Sequence, residues 1–183
     1  MPISIVSGGQ TGADRGALDA ALASGVPCGG YCPRGRRAED GPIPERYGGL
    51  VETESEDPAQ RTERNVRDSD ATLILSWGTP LGGTALTERL ARRFDMPVLV
   101  VDLEPIPPDA AAAAIREWLA ATRPRVLNVA GPRQSQAPGI AAAATAVLRS
   151  ALCGEASGQG GAVDSRNPSS PGPDRASARC RAS

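Results

Sequence analysis

The chain has 183 residues, 40% of them hydrophobic, which is enough for one domain around one buried core but not for two. Twenty basic residues against 21 acidic ones leave a formal charge of −1, which excludes whole-molecule attraction to nucleic acid or an anionic membrane, so an anion has to be bound locally. All the basic residues are Arg, and the absence of Lys and His removes a phosphate-binding P-loop lysine, a Schiff base, a Ser-His or Cys-His couple and a histidine-ligated metal.

Apolar runs alternate with longer amphipathic stretches as far as Leu152, the pattern of repeated βαβ units and a doubly wound, mostly parallel Rossmann-like α/β sheet of five to six strands. The first strand is expected at Ile3 to Ser7. It runs into Gly8-Gly9-Gln10-Thr11-Gly12, after which Ala13, Ala17, Ala21, Leu18 and Leu22 form a helical stripe that stops at Gly25. A short strand is expected near Val26 to Tyr31. Cys32 to Gly49, rich in Pro, Gly and Arg, reads as a long ordered or lid-like loop, followed by an extended piece, Leu50 to Thr53.

Asp57-Pro58 is an N-cap followed by an N1 proline and predicts a polar helix to about Asp68. Ala71 to Trp77 is an apolar strand and Gly78 to Gly83 a second Gly-rich turn; Leu86, Leu90 and Phe94 then line one face of a helix. A strand at Val98 to Asp102, an Ala-rich helix from Pro107 through Ala121, a strand at Val126 to Val129 and a helix at Ala141 to Leu152 complete the domain, 1–152. Residues 153–183 contain one aliphatic side chain longer than Ala and are expected to form a disordered tail. The start of the chain has no basic n-region with a long apolar run, the cysteines are unevenly spread, and no stretch approaches the roughly 20 apolar residues of a bilayer span. These features predict a reduced, cytoplasmic protein that is not inserted in a membrane.

In such a sheet, ligands bind outside the carboxyl ends of the strands. Ser7 to Asp14 and Gly78 to Thr84 each follow a strand and open a helix, so their amides and helix dipoles suit an anion, and the two loops are expected on neighbouring strand ends. The first lacks the G-x-G-x-x-G spacing, which argues against NAD. Arg61 and Asn65, four apart on the polar helix, either reach the crevice or form a solvated face. Arg133 and Ser135, beyond the last strand, offer a guanidinium fork and a hydroxyl to phosphate oxygens. Asp14 and Glu88 are the carboxylates placed for proton transfer, and each is equally explained as a charge at a helix N-terminus; for Asp14 that explanation is preferred. Cys28 and Cys32 make a poor zinc site, so no metal ligation is expected. Trp77 is either core or a platform for a flat ring.

Five segments in this order, SGGQTGADRGALDAAL, GGYCPRGRRAEDGPIPERYG, RTERNVRDSDATLIL, GGTALTE and LNVAGPRQSQAPGI, resemble the molybdenum carrier (molybdenum cofactor carrier protein) family across Met1 to Leu152. The resemblance implies a Rossmann-like homo-oligomer, distantly related to the lysine-decarboxylase-like phosphoribohydrolases, that carries or stores molybdenum cofactor (molybdopterin), a phosphate-bearing pterin with a dithiolene-held metal. It also implies hand-over partners among molybdoenzymes or cofactor-synthesis proteins. On this reading Gly8, Gly9, Thr11, Gly12, Gly83 and Thr84 cradle the phosphate, with Gln10 and Gly82 among the ligand-binding residues of the same loops, Arg61 or Arg133 pairs with oxyanions, and the loop around Pro33-Arg34-Gly35-Arg36 covers the pterin. The rival reading is a nucleoside monophosphate phosphoribohydrolase with Glu88 as general acid/base. Against it, Gly82 to Glu88 is one residue shorter than the superfamily's Gly-Gly-x-Gly-Thr-x-x-Glu, and at about 100° of helix per residue this re-aims Glu88. A nucleotide-sensing module that binds without turnover is the third reading.

Overall fold

The computed structural model describes residues 3–153. The extension expected from 153 onward lies outside the described residues except for Cys153, which closes the last helix.

Strand β1 (Ser4–Val6) leads through the first Gly-rich loop into helix α1 (Ala13–Ala23) and strand β2 (Cys28–Cys32). A 3₁₀ turn at Arg34–Arg36 and a hairpin of β3 (Arg37–Ala38) and β4 (Gly41–Pro42) precede β5 (Leu50–Glu52). Then come α2 (Pro58–Arg67), β6 (Ala71–Ser76), α3 (Gly82–Arg93), β7 (Val98–Asp102), α4 (Pro108–Thr122), β8 (Val126–Ala130) and α5 (Ile140–Cys153). The second strand starts two residues later than expected, because Val26 and Pro27 form the entry to it. The long loop contains its own small hairpin.

Six parallel strands form one sheet in the order β5-β2-β1-β8-β6-β7. The chain builds outward from β1 to β5, crosses to β6 and β7, and returns to place β8 between β1 and β6. Contrary to the expectation from the sequence, the two Gly-rich loops therefore do not leave neighbouring strands; the end of β8 and its loop stand between them. Connections from β1 and β6 run to opposite edges of the sheet, which makes the β1–β8–β6 edge the topological switch point.

Helices α1 and α4 pack against α5, and α2 packs against α3, giving three layers. The larger core joins Ile5, Leu73, Leu75, Leu127 and Val129 of the sheet to Ile115, Leu119, Val147 and Leu148 of α4 and α5. β6 is buried along its whole length, as its unbroken apolar run requires of a strand covered on both faces. Val66, Leu90 and Ala91 form the opposite core with Leu86, Phe94 and Met96, so the stripe read from the sequence of α3 faces inward. On α1 the stripe is narrower than expected: Ala13, Ala17, Leu18 and Ala21 are buried but Leu22 is 48% exposed. α1 and α5 approach closely because Gly16 has no side chain; a Cβ there would stand 2.5 Å from the Ala141 carbonyl oxygen. The α2 N-terminus is capped as its sequence predicts, the Asp57 carboxylate accepting the Ala59 N–H at 2.9 Å.

Candidate functional site

The glycines of the first loop are filled by protein. A Cβ on Gly8 would lie 1.4 Å from Arg61 Nη1, and one on Gly9 would lie 2.8 Å from Leu50 Cδ1. Gly12, at φ 82°, would place its Cβ 2.4 Å from the Pro132 carbonyl oxygen and 2.7 Å from the Gln134 nitrogen. This loop thus admits a guanidinium, the long loop and the β8 loop against its backbone. Arg61, from the first turn of α2, lies across Gly8 and donates from Nη1 to Asp14 Oδ2 at 3.0 Å, while the Gln10 N–H reaches the same oxygen at 3.3 Å. Both partners are largely buried, with side-chain exposures of 15% for Arg61 and 5% for Asp14. Burial pushes the Asp14 carboxyl up from its ordinary range, against the opposing pull of the Arg61 charge and the Gln10 N–H. Arg61 Nε is buried with no protein acceptor.

The second loop is the opposite case. Gly78, Gly82 and Gly83 have nothing within 4 Å of a notional Cβ. Gly82 stands at φ 51°, which an L side chain rarely adopts, and opens α3 rather than closing the turn before it. The first amides of a helix have no intrahelical acceptor. Here the Thr84 and Ala85 N–H groups turn back to the Leu81 carbonyl, and Leu81 at the N-cap offers no side-chain acceptor to the amides of Gly82 and Gly83. A cavity of about 250 Å3 adjoins this helix start, walled by Ser76, Trp77, Leu81 and Thr84 on one side and Pro132, Gln136 and Ala137 on the other. Ser76 is 2% exposed and its Oγ has no hydrogen-bond partner. Trp77 packs against Ala13, Ala137 and Ile140 and also lines the cavity.

The β8 loop carries a third cluster. The Glu39 carboxylate, at the turn of the β3–β4 hairpin, accepts from the Thr11 hydroxyl, from the Ser135 N–H at 3.1 Å and from the Ser135 hydroxyl at 2.5 Å, with Arg133 Nε 3.9 Å away. Thr11 Oγ1 accepts the Gln134 N–H at 3.2 Å, and Gln10 Oε1 accepts the N–H groups of Thr11 and Glu39 at 3.0 and 2.9 Å. Desolvation pushes the Glu39 carboxyl up, but the Ser135 and Thr11 hydroxyls, the Ser135 N–H and the Arg133 charge together hold it below its ordinary range.

The structure therefore places Gly8, Gly9, Gln10, Thr11, Gly12, Asp14, Arg61, Arg133 and Ser135 along the β1 and β8 ends, and Trp77, Gly82, Gly83 and Thr84 at the β6 end. Asn65 is engaged elsewhere: its amide accepts the Tyr31 N–H at 2.7 Å and donates to the Tyr31 carbonyl at 3.0 Å, pinning β2 to α2. Arg34 is exposed and pairs with Glu56 at 3.4 Å. Glu88 receives Arg92 Nη2 at 2.8 Å, one turn along α3, and is not among the residues walling the cavity. Glu39, Asp40, Arg15 and Ser76 were not anticipated. Glu-Asp-Gly between two short extended pairs is a hairpin-turn signature that would have located the first two; nothing in the sequence marks a single strand-terminal serine. Among the described residues no group of three or more His, Cys, Asp or Glu is placed to hold a metal, and no helix is long and apolar enough to cross a membrane.

Fold and crevice together define a Rossmann-like α/β protein with its candidate site at the switch point of the sheet. The chain belongs to the circularly permutated YpsA SLOG family, whose model matches residues 5–152. It is similar, at 46% identity and a TM-score of 0.80, to a crystal structure from Syntrophus aciditrophicus SB named a putative molybdenum carrier protein, over 82% of this chain and 95% of that one. No curated protein matches.

Proposed function

We propose that the protein binds a phosphate-bearing small molecule at the α3 N-terminus, and that this molecule is the molybdenum cofactor, held as cargo. The observation that carries the reading is the Ser76 hydroxyl, buried without a partner on the wall of a cavity that adjoins a helix start with two open glycines. An orphaned buried hydroxyl costs stability, and an oxyanion oxygen supplies the missing partner. A space of about 250 Å3 is smaller than the usual pocket for a whole ligand of this size, so it takes the phosphate and one edge of the ring while the remainder lies against Trp77 and the β8 loop.

The cofactor fits as cargo because it brings its own dithiolene. The cavity wall offers no thiolate, Cys32 lying in the core with Leu18 and Tyr47. Molybdenum as the cargo agrees with the name of the Syntrophus protein; the pterin, assembly into a homo-oligomer and hand-over to molybdoenzymes follow the family resemblance alone.

The test is native mass spectrometry of protein purified from a molybdenum-replete host, with identification of the small molecule released on denaturation. A pterin phosphate retained by the wild-type chain and lost from Gly83→Val supports carriage. A nucleotide, or free base and ribose phosphate after incubation with nucleoside monophosphates, overturns it in favour of the phosphoribohydrolase reading.

A further inference from the structure

The two-residue turn between β3 and β4 consists of Glu39 and Asp40, and both carboxylates are lodged at the ligand edge of the sheet. Glu39 occupies the Thr11 and Ser135 donors beside Arg133, while Asp40 takes Arg15 in a two-point bridge of 2.6 and 2.8 Å. Arg15 is held in place from behind, its Nε donating to the Gly9 carbonyl at 3.2 Å. These donors bind an anion, and the anion they bind is the chain's own. We propose that they form an oxyanion subsite for a dianion such as a phosphate monoester, and that the Glu39–Asp40 tip is a resident stand-in which the dianion displaces.

Charge supports the exchange. With the tip docked, Arg15 and Arg133 are balanced by Glu39 and Asp40, and the tip itself lines a cavity of about 520 Å3 with Thr11, Arg15 and Ser135, Arg133 standing just outside it; with the tip withdrawn, two guanidinium groups, two hydroxyls and the Ser135 N–H lose their acceptor. A dianion restores the balance that two carboxylates provided. The other acidic group on that cavity, Asp19, accepts from the Tyr47 hydroxyl at 2.8 Å and pairs with Arg46, so it does not oppose an incoming anion unscreened.

The anchoring of the loop also permits the motion. Its body is fixed by buried Ile43 and Tyr47 and by Arg36, whose guanidinium donates to the carbonyls of Ile43, Pro44, Tyr47 and Leu50. The arm from Arg37 to Pro42 fully buries no side chain; its one apolar contact is Ala38, half-buried against the core around Ile43 and Tyr47. It is held at its base by the Ile43 N–H to the Arg36 carbonyl and at its tip by the polar and charged contacts of Glu39 and Asp40. Such contacts exchange for an equivalent anion at little cost, whereas buried apolar contacts do not.

This subsite lies across the β8 loop from the α3 cavity and stands independently of the function proposed above. Inorganic phosphate is the probe, measured by equilibrium dialysis. A chain whose competent state is a minor fraction binds more weakly by that fraction. The combined Glu39→Gln and Asp40→Asn variant is therefore expected to bind phosphate about tenfold or more tightly than wild type. That gain persists when Gly83→Val obstructs the α3 helix start and disappears with Thr11→Val. An unchanged affinity, or a gain abolished by Gly83→Val, overturns the proposal. Should the double variant fail to fold, the wild-type chain decides: phosphate accelerates trypsin cleavage after Arg37 if the arm is released, and an unchanged cleavage rate refutes the release.

Discussion

Replacing Gly8 with Ala separates two explanations of the first Gly-rich loop. Were the glycine there for a ligand, an added methyl would leave the apo protein's stability nearly unaltered. The structure places Arg61 Nη1 1.4 Å from that methyl instead. The guanidinium is the end of a flexible side chain and can move, so the steric clash itself is cheap. Its movement leaves Asp14, 5% exposed, without its cation. Breaking one side of a buried pair costs about 3–5 kcal/mol. Because Arg61 is 15% exposed and can turn partly to solvent, the lower end, about 3 kcal/mol, is expected for Gly8→Ala. With a urea m-value of about 2 kcal/mol/M this moves the unfolding midpoint down by roughly 1.5 M. The control is the same substitution in a chain carrying Asp14→Asn and Arg61→Met, where Gly8→Ala should cost less than about 1 kcal/mol. An equal cost in both backgrounds would refute the assignment of Gly8 to the ion pair.

Gly12→Ala meets backbone on two sides at a positive φ and should cost about 3 kcal/mol or more, whereas Gly82→Ala, with open space around it, should cost only the conformational penalty of about 1 kcal/mol; differential scanning calorimetry compares them. Ser76→Ala removes an orphaned hydroxyl and should stabilise the ligand-free chain by up to about 1 kcal/mol while lowering ligand occupancy, read by chemical denaturation alongside mass spectrometry. Asn65→Ala strips both Tyr31 backbone groups of their partner and should cost about 2–4 kcal/mol, with faster hydrogen exchange at the Tyr31 amide. Docking holds the Glu39 carboxyl below its ordinary value of 4.5, so the folded state binds fewer protons than the unfolded chain in the window beneath that value. The contribution is fully present above the window and is lost as pH falls through the lowered value. The stability measured by urea unfolding should fall through that acidic range, and Glu39→Gln should abolish this part of the pH dependence.

The elements that the sequence made legible are those governed by local chemistry. Asp57-Pro58 starts α2, the apolar run from Ala71 reads as a strand, and Leu86, Leu90 and Phe94 point α3 inward. Position along the strand ends was equally legible, which is why most expected site residues do reach the switch-point edge. Lateral order was not. No residue of β8 announces that it pairs with β1 on one side and β6 on the other, because crossover connections decide that. For the same reason the two Gly-rich loops looked alike in the sequence, although one is packed with Arg61 and Leu50 and the other faces open space. Asn65 shows the remaining limit. Helical spacing correctly grouped it with Arg61, but whether a polar side chain meets a ligand or a neighbouring backbone depends on what the next strand brings to it.

Placing β8 between β1 and β6 also orders events during synthesis. Ser4–Val6 and Ala71–Ser76 emerge early from the ribosome, yet neither gains its shared neighbour until Val126–Ala130 has been translated. Until then the nascent chain holds two half-sheets with an unpaired edge each, and such edges are where wrong partners add. The penultimate element of the domain thus acts as a keystone, and a ribosome stalled before codon 126 would present chaperones with a chain unable to close.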